Sequence, residues 1–93
     1  MKVTTTVLLK KFEELHLRPN RVHHGRDGKS RFIWYVDNDD DRYVELVDSA
    51  RSARVMLTLR DGWRAMARVM EDQELVVMLV QQYLRMLGPG VVS

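Results

Sequence analysis

Two segments of alternating side chains, separated by an acidic turn, constrain the fold of this chain more than any other feature. Residues 31–37 are dense in aromatic and β-branched side chains, which favour strands, and residues 43–47 continue in the same way. Between them, residues 38–41 are rich in short acidic side chains, which tolerate left-handed backbone and hydrogen-bond their own chain. The sequence therefore predicts a β-hairpin.

The N-terminal segment has the spacing of a helix. Leu8, Phe12 and Leu15 recur at steps of four and three, with charged residues between them. This pattern predicts an amphipathic helix with one buried face. Pro19 ends the helix, because the residue before a proline is pushed out of the α region.

Two further segments read as strands. Residues 21–24 are predicted as a short edge strand before the hairpin. After the hairpin, residues 53–60 alternate between apolar and other side chains, which favours a third main strand. Because residues 50–54 have the composition of a helix, a helix over residues 50–59 stays open as the alternative.

Apolar side chains at alternating steps of three and four predict one long C-terminal helix. Asp61 is its expected N-cap, and Gly88 is its expected left-handed C-terminal residue. A break near residues 71–72 is the alternative, since Asp72 is a suitable cap for a second, shorter helix. The predicted apolar face comprises Trp63, Met66, Met70, Val77, Val80, Leu84 and Leu87, interrupted by Gln73.

Together these elements predict an α+β fold of the order α-β-β-β-α. A small antiparallel sheet of three or four strands would carry the N-terminal helix and the long C-terminal helix on one face. Residues 1–88 would form a single domain, and residues 89–93 a flexible tail. The side chains expected to face the helices are Phe32, Trp34, Val36, Val44, Leu46, Val55, Leu57 and Leu59.

The candidate metal sites in the sequence are weak. The acidic turn resembles a calcium-loop template at Asp37, Asp39, Asp41, Tyr43, Glu45 and Asp48, but Arg42 stands where that loop needs glycine. His23 and His24 are adjacent, so in a strand their rings point to opposite faces. The chain has no cysteine, which excludes a thiolate site. We therefore expect no metal and no cofactor.

Catalytic patterns are equally weak. His24, Asp27 and Ser30 contain the residue types of a nucleophilic triad, but nothing in the sequence places them in a turn that exposes a nucleophile. Neither glycine cluster has phosphate-loop spacing, and no paired carboxylates lie in an apolar setting. The sequence therefore predicts a protein that is not an enzyme.

Location is predicted from what the sequence lacks. The longest apolar run, residues 75–80, is far shorter than the roughly 20 residues of a membrane span. No secretory signal is visible at the N-terminus. We expect a cytoplasmic protein that does not contact a membrane.

The last helix carries the main functional prediction, because its second half is apolar over more than half of its circumference. Such a helix must be covered on two sides, by the sheet and by either the first helix or a second protein chain. We therefore expect a small protein-interaction module (adaptor, chaperone or inhibitor-like), with a protein partner that the sequence does not identify and a homodimer as its own state. The expected contact residues are Val69, Leu75, Val76, Leu79, Tyr83 and Met86.

Nucleic-acid binding is the alternative function. If the strands face as predicted, Arg31, Ile33, Tyr35, Tyr43, Arg54, Met56 and Arg60 share the sheet face away from the helices. Arginines interleaved with tyrosines can bind phosphates and stack on bases. Ordinary charge pairing, for instance of Arg54 or Arg60 with Glu45, is the competing interpretation. The candidate contacts are Arg18, Arg21, Arg26, Lys29, Arg31, Tyr35, Arg54 and Arg60.

Overall fold

The computed structural model describes residues 3–88 of the chain. A five-stranded sheet lies between an N-terminal and a C-terminal helix in the order of the chain. The predicted tail, residues 89–93, lies outside the described residues. The elements are α1 (Val3–Glu14), β1 (Arg21–His24), β2 (Lys29–Val36), β3 (Asp39–Ser49), β4 (Val55–Asp61), β5 (Arg64–Met70) and α2 (Gln73–Leu87).

The strands form an antiparallel meander in the order β1-β2-β3-β4-β5. The predicted hairpin is confirmed as β2 and β3, with Trp34 opposite Val44. Its turn is tighter than the predicted residues 38–41, because Asp37 and Asn38 both adopt left-handed backbone, with φ of 54° and 58°. This is the geometry that a two-residue turn needs to match the twist of its strands.

The α+β class is confirmed, but the predicted count of three or four strands is wrong. Residues 64–70 form β5 and pair with β4 along its whole length, so the long helix predicted from Asp61 does not exist. Gly62, at φ 65°, opens a two-residue turn between the strands. Helix-forming residue types in this segment favoured a helix, but pairing with β4 overrides that local preference.

The C-terminal helix instead begins where the alternative placed it. The Asp72 carboxylate accepts hydrogen bonds from the backbone N–H groups of Glu74 and Leu75, at 3.0 and 3.2 Å. These bonds satisfy two donors that have no partner within the helix. Residues 55–59 are a strand, which resolves the other open alternative.

The core lies between the sheet and the two helices, which share one face as expected. All eight sheet residues predicted to face the helices are buried. From α1, Phe12 packs its ring edge-on against Trp34, with centroids 4.8 Å apart, and at 6.4 Å from Phe32. From α2, Val76, Val77, Val80 and Leu87 complete the core.

Two polar bonds position α1 and the segment after it. The Thr5 hydroxyl donates to the Asp48 carboxylate at 2.8 Å, which ties the first turns of α1 to β3. The Trp34 indole N–H donates to the Leu17 carbonyl at 3.1 Å. In the described part of the chain, neither helix has the length and apolar character needed to cross a bilayer.

Candidate interaction surfaces

The acidic turn does not close into a calcium loop. Tyr43 and Glu45 point to the sheet face that the helices leave uncovered, while Asp48 points into the core. The candidate ligands therefore diverge instead of converging on one point. Among residues 3–88, no three His, Cys, Asp or Glu side chains are grouped so that they could hold a metal ion.

The histidines and the candidate triad also separate. His23 lies opposite Arg31, and His24 lies opposite Ser30 on the other face, with its Nδ1 2.9 Å from the Ser30 hydroxyl. The Asp27 carboxylate instead accepts a hydrogen bond from the backbone N–H of Lys29 at 3.0 Å, and this bond lowers the pKa of Asp27. Asp27 therefore stabilises the turn between β1 and β2 and does not orient His24.

A buried polar pair was missed in the sequence analysis. Thr5 and Asp48 are each about 1% exposed, and one carboxylate oxygen of Asp48 has no hydrogen-bond partner among residues 3–88. The alternation of β3 gives the signal, because it places residue 48 on the same inward face as Val44 and Leu46. The pair anchors α1, and we assign it a structural role.

β5 is an exposed edge strand that carries apolar side chains. Within residues 3–88 no strand pairs with its outer edge, and every residue except Met70 is exposed. Met66 is 56% exposed on the helix-facing side, and Val69 is 60% exposed on the opposite side. At the turn before β5, Trp63 is 85% exposed, with the Arg64 guanidinium 5.0 Å from its ring centroid. Both sides of this edge strand are therefore open to a partner.

One flank of α2 continues this exposed region. Met86 borders a cleft together with Met66, and Tyr83 borders the adjoining cleft with the same residue. Leu75 and Leu79 precede them at helical spacing on that flank. We call the set the β5–α2 surface: its helix-facing part comprises Met66, Arg68, Leu75, Leu79, Tyr83 and Met86, and Val69 extends it to the other side of β5.

The other flank of α2 is occupied by α1. Lys11 of α1 lies 3.9 Å from Glu74 of α2, and Leu84 lines a cleft with Leu17 and Trp34. α1 therefore covers only one side of α2. The flank next to β5 has no covering element within residues 3–88.

The structure distributes the predicted dimer residues over three environments. Val76 is fully buried in the core, so it is not available to a partner. Val69 belongs to β5 instead of the helix and faces the opposite side of the sheet, because the helix begins only after Asp72. Leu75 and Met86 are exposed, while Leu79 and Tyr83 are half-buried against the core. Four of the six thus stay together on α2.

The uncovered sheet face, here called the open face, carries aromatic and basic side chains. Tyr35 and Tyr43 are directly opposite each other, with ring centroids 6.2 Å apart. The Arg21 guanidinium donates a hydrogen bond to the Tyr35 hydroxyl, and this bond raises the pKa of the guanidinium. Arg60 lies opposite Tyr43 on the next strand. Four strands thus bring two aromatic rings and two guanidinium groups together.

The structure brings together only part of the predicted nucleic-acid set. Arg21, Lys29, Arg31, Tyr35 and Arg60 lie on the open face according to the strand register. Arg18 lies beside Glu13 at the end of α1, and Arg26 lies in the turn between β1 and β2.

Charge pairing on the sheet differs from the pairing that was expected. Glu45 pairs with Arg31 at 3.8 Å instead of with Arg54 or Arg60. Arg54 precedes β4 and pairs with Glu71 at 2.9 Å, so it does not belong to the open face. The open face therefore lacks Arg54 of the predicted set and carries Arg21 of β1 in addition.

Comparison with protein-family models, with curated proteins and with solved structures finds no match to this chain. Its function is therefore argued from the surfaces described above.

Proposed function

We propose that this chain is a small, non-enzymatic protein-interaction module that associates with itself through the β5–α2 surface. The single observation that carries the proposal is β5, an edge strand of seven residues that is exposed on both sides. Exposed strands of this length offer a row of backbone donors and acceptors to another chain.

The character of the two sheet edges supports the choice of β5. β1 is the other edge strand, but it has only four residues and carries Arg21 and two histidines. Short, charged edge strands are the usual protection against unwanted pairing. β5 also carries two arginines, Arg64 and Arg68, but it is longer, lacks proline and lysine and presents Met66 and Val69, so it has less of that protection.

The thin core of a small domain gives a thermodynamic reason for association. A chain of this size buries only about 60–65% of its unfolded surface, so it gains stability when a partner covers exposed apolar side chains. Trp63, Met66, Val69 and Met86 are each more than half exposed. Covering them would remove from water four of the five large apolar side chains that are more than half exposed among the described residues.

Light scattering and sedimentation over a concentration series from about 10 μM to 1 mM test the proposal, since micromolar to millimolar affinities correspond to about 4–8 kcal/mol. The wild-type mass should rise from 10.9 kDa towards twice that value. Val69→Asp should raise the dissociation constant at least about tenfold, because a partner would have to desolvate the new charge.

Met78→Asp is the matched control. Met78 is 63% exposed, close to the 60% of Val69, but it lies on the outward side of α2. This variant should associate like the wild type, and both variants should keep the wild-type circular dichroism spectrum. A wild-type protein that stays monomeric throughout the concentration series would refute the proposed function.

Binding of single-stranded nucleic acid is the second candidate function. It is favoured by one observation, the contact between Tyr35 and Tyr43 with Arg21 and Arg60 beside them on the open face. Aromatic rings on an uncovered sheet stack on bases, and neighbouring guanidinium groups bind the phosphates.

Fluorescence anisotropy with a labelled single-stranded oligonucleotide at low ionic strength tests this candidate. Tyr43→Ala should weaken binding by about 5- to 150-fold, the range for losing one stacked base. Arg18→Ala, which lies off the open face, should change affinity much less. Absence of any anisotropy change with about 100 μM protein at 50 mM salt would exclude the candidate, because phosphate contacts are strongest at low salt.

A further inference from the structure

We infer that two copies of this chain pair through β5 in antiparallel orientation, with Ala67 of one copy opposite Ala67 of the second. The result is one continuous ten-stranded sheet with four helices on one face. This inference rests on the proposed self-association and specifies its geometry.

The turn before β5 determines which backbone groups point outward. Asp61 and Arg64 flank a two-residue turn and are directly paired, so they form a hydrogen-bonded pair. Hydrogen-bonded and non-hydrogen-bonded pairs alternate along an antiparallel ladder. The N–H and C=O groups of Ala65, Ala67 and Val69 therefore point away from β4, towards the free edge.

These three outward residues complement themselves about a two-fold axis through Ala67. Ala67 meets Ala67 of the second copy, and Ala65 meets Val69 in both directions. Each meeting is a hydrogen-bonded pair, which gives about six new backbone hydrogen bonds. The side chains at these positions lie on the open face and are all small or apolar, so neither charge nor bulk opposes close approach.

The arginines of β5 select this register. On the helix-facing side, Arg68 comes opposite Met66 of the second copy, and Arg64 comes opposite Met70. A shift by two residues in one direction places Arg64 opposite Arg68. A shift by two in the other direction places Arg68 opposite itself. Like charges directly opposite are destabilising, so both shifts are disfavoured.

Other offsets are excluded by geometry. A two-fold axis perpendicular to the sheet keeps each side chain on its own face, so a shift by one residue is not allowed. Shifts by four leave only about three residues of β5 paired. Pairing of β5 with β1 of another copy would be head-to-tail and would propagate, whereas β5 with β5 closes as a dimer.

Single-cysteine cross-linking tests the register, and the chain contains no cysteine of its own. With Ala67→Cys, the two Cα atoms would lie about 5.5 Å apart, within the range for a disulfide. Under mild oxidation this variant should form a covalent dimer on a non-reducing gel.

Ala65→Cys is the matched control on the same strand and the same face. In the proposed register its two Cα atoms would lie about 14 Å apart, since they are offset by four residues. This variant should therefore stay monomeric on the gel while still associating in solution.

A charge substitution tests the same register without a covalent bond. Met66→Glu would place a carboxylate opposite Arg68 of the second copy twice in the dimer. Relative to the uncharged Met66→Gln, it should lower the dissociation constant by about 2- to 30-fold, as expected for two cross-strand pairs. In the register centred on residue 66, two carboxylates would meet and the effect would reverse.

The outcomes separate this inference from the proposed function. Covalent dimers from Ala67→Cys but not from Ala65→Cys, together with tighter association of Met66→Glu, support the register. A wild-type dimer with equal cross-linking of the two cysteine variants, or weaker association of Met66→Glu than of Met66→Gln, overturns the register and leaves self-association standing. A monomeric wild type overturns both.

Discussion

Removing the Thr5 hydroxyl should destabilise the fold more than removing any exposed ion pair. The hydroxyl donates to Asp48 at 2.8 Å, and both side chains are about 1% exposed. Hydrogen bonds to charged groups contribute about 1.5–3 kcal/mol. Because the other carboxylate oxygen of Asp48 has no partner in the described part of the chain, Thr5→Val would leave the carboxylate buried without a hydrogen bond from these residues. We therefore expect Thr5→Val to lower the free energy of unfolding by about 2–3 kcal/mol, near the upper end of that range.

Such a loss is large for a domain of this size. At about 0.05–0.15 kcal/mol per residue, the total free energy of unfolding of 93 residues is roughly 5–14 kcal/mol. Urea unfolding followed by circular dichroism measures it. With a slope of about 1–1.5 kcal/mol per molar urea, the midpoint should fall by about 2 M. Wild type and variant must be compared at one protein concentration, because self-association also stabilises the folded state.

A double variant distinguishes a lost hydrogen bond from lost packing. Replacing both partners by apolar groups of similar shape is nearly neutral, whereas replacing one leaves a buried group unpaired. Thr5→Val with Asp48→Val should therefore recover about 1–2 kcal/mol relative to Thr5→Val alone. A double variant that is less stable than Thr5→Val, or a single variant that loses less than about 0.5 kcal/mol, would refute this reasoning.

Three further predictions address single positions by urea unfolding. Asp72→Ala should cost about 1 kcal/mol by removing the cap of α2, while Asp72→Asn should cost much less; equal losses would contradict the capping role. Gly62→Ala should cost about 1–2 kcal/mol from backbone strain alone, because no atom lies within 4 Å of an added Cβ and φ is +65°. Arg54→Ala should cost less than about 1 kcal/mol despite its 2.9 Å bond to Glu71, since both side chains are exposed, and a larger loss would contradict that view.

An error in the secondary structure of one segment changes which residues share a candidate surface. The sequence predicts Val69 and Val76 on one helical interface with Leu75 and Met86. Val69 is instead part of a strand, and Val76 is in the core. The apolar excess itself was correctly located in the C-terminal third of the chain. Because these apolar side chains were assigned to one face of a helix, the edge strand β5, on which the proposed function rests, was not predicted.

The sequence alone determined those elements in which the local backbone preference and the pattern of burial indicate the same secondary structure. Residues 31–36 and 43–47 combine strand-forming side chains with period-two alternation, so the hairpin, its inward residues and the open face with its tyrosines followed directly. The α1 helix followed in the same way from Leu8 and Phe12. In these segments the same sequence pattern favours the observed backbone conformation and places the apolar side chains in the core.

Only the tertiary structure decided the conformation of residues 61–70 and the ion-pair partners of the charged side chains. Arginine, alanine and methionine favour a helix locally, and steps of three and four continued the pattern of the true helix. The turn at Gly62 brings this segment to the open edge of β4, where its seven residues pair with a neighbouring strand and alternate residues gain backbone hydrogen bonds. Those bonds depend on an edge that exists only after β2, β3 and β4 have assembled, so the local sequence does not encode them.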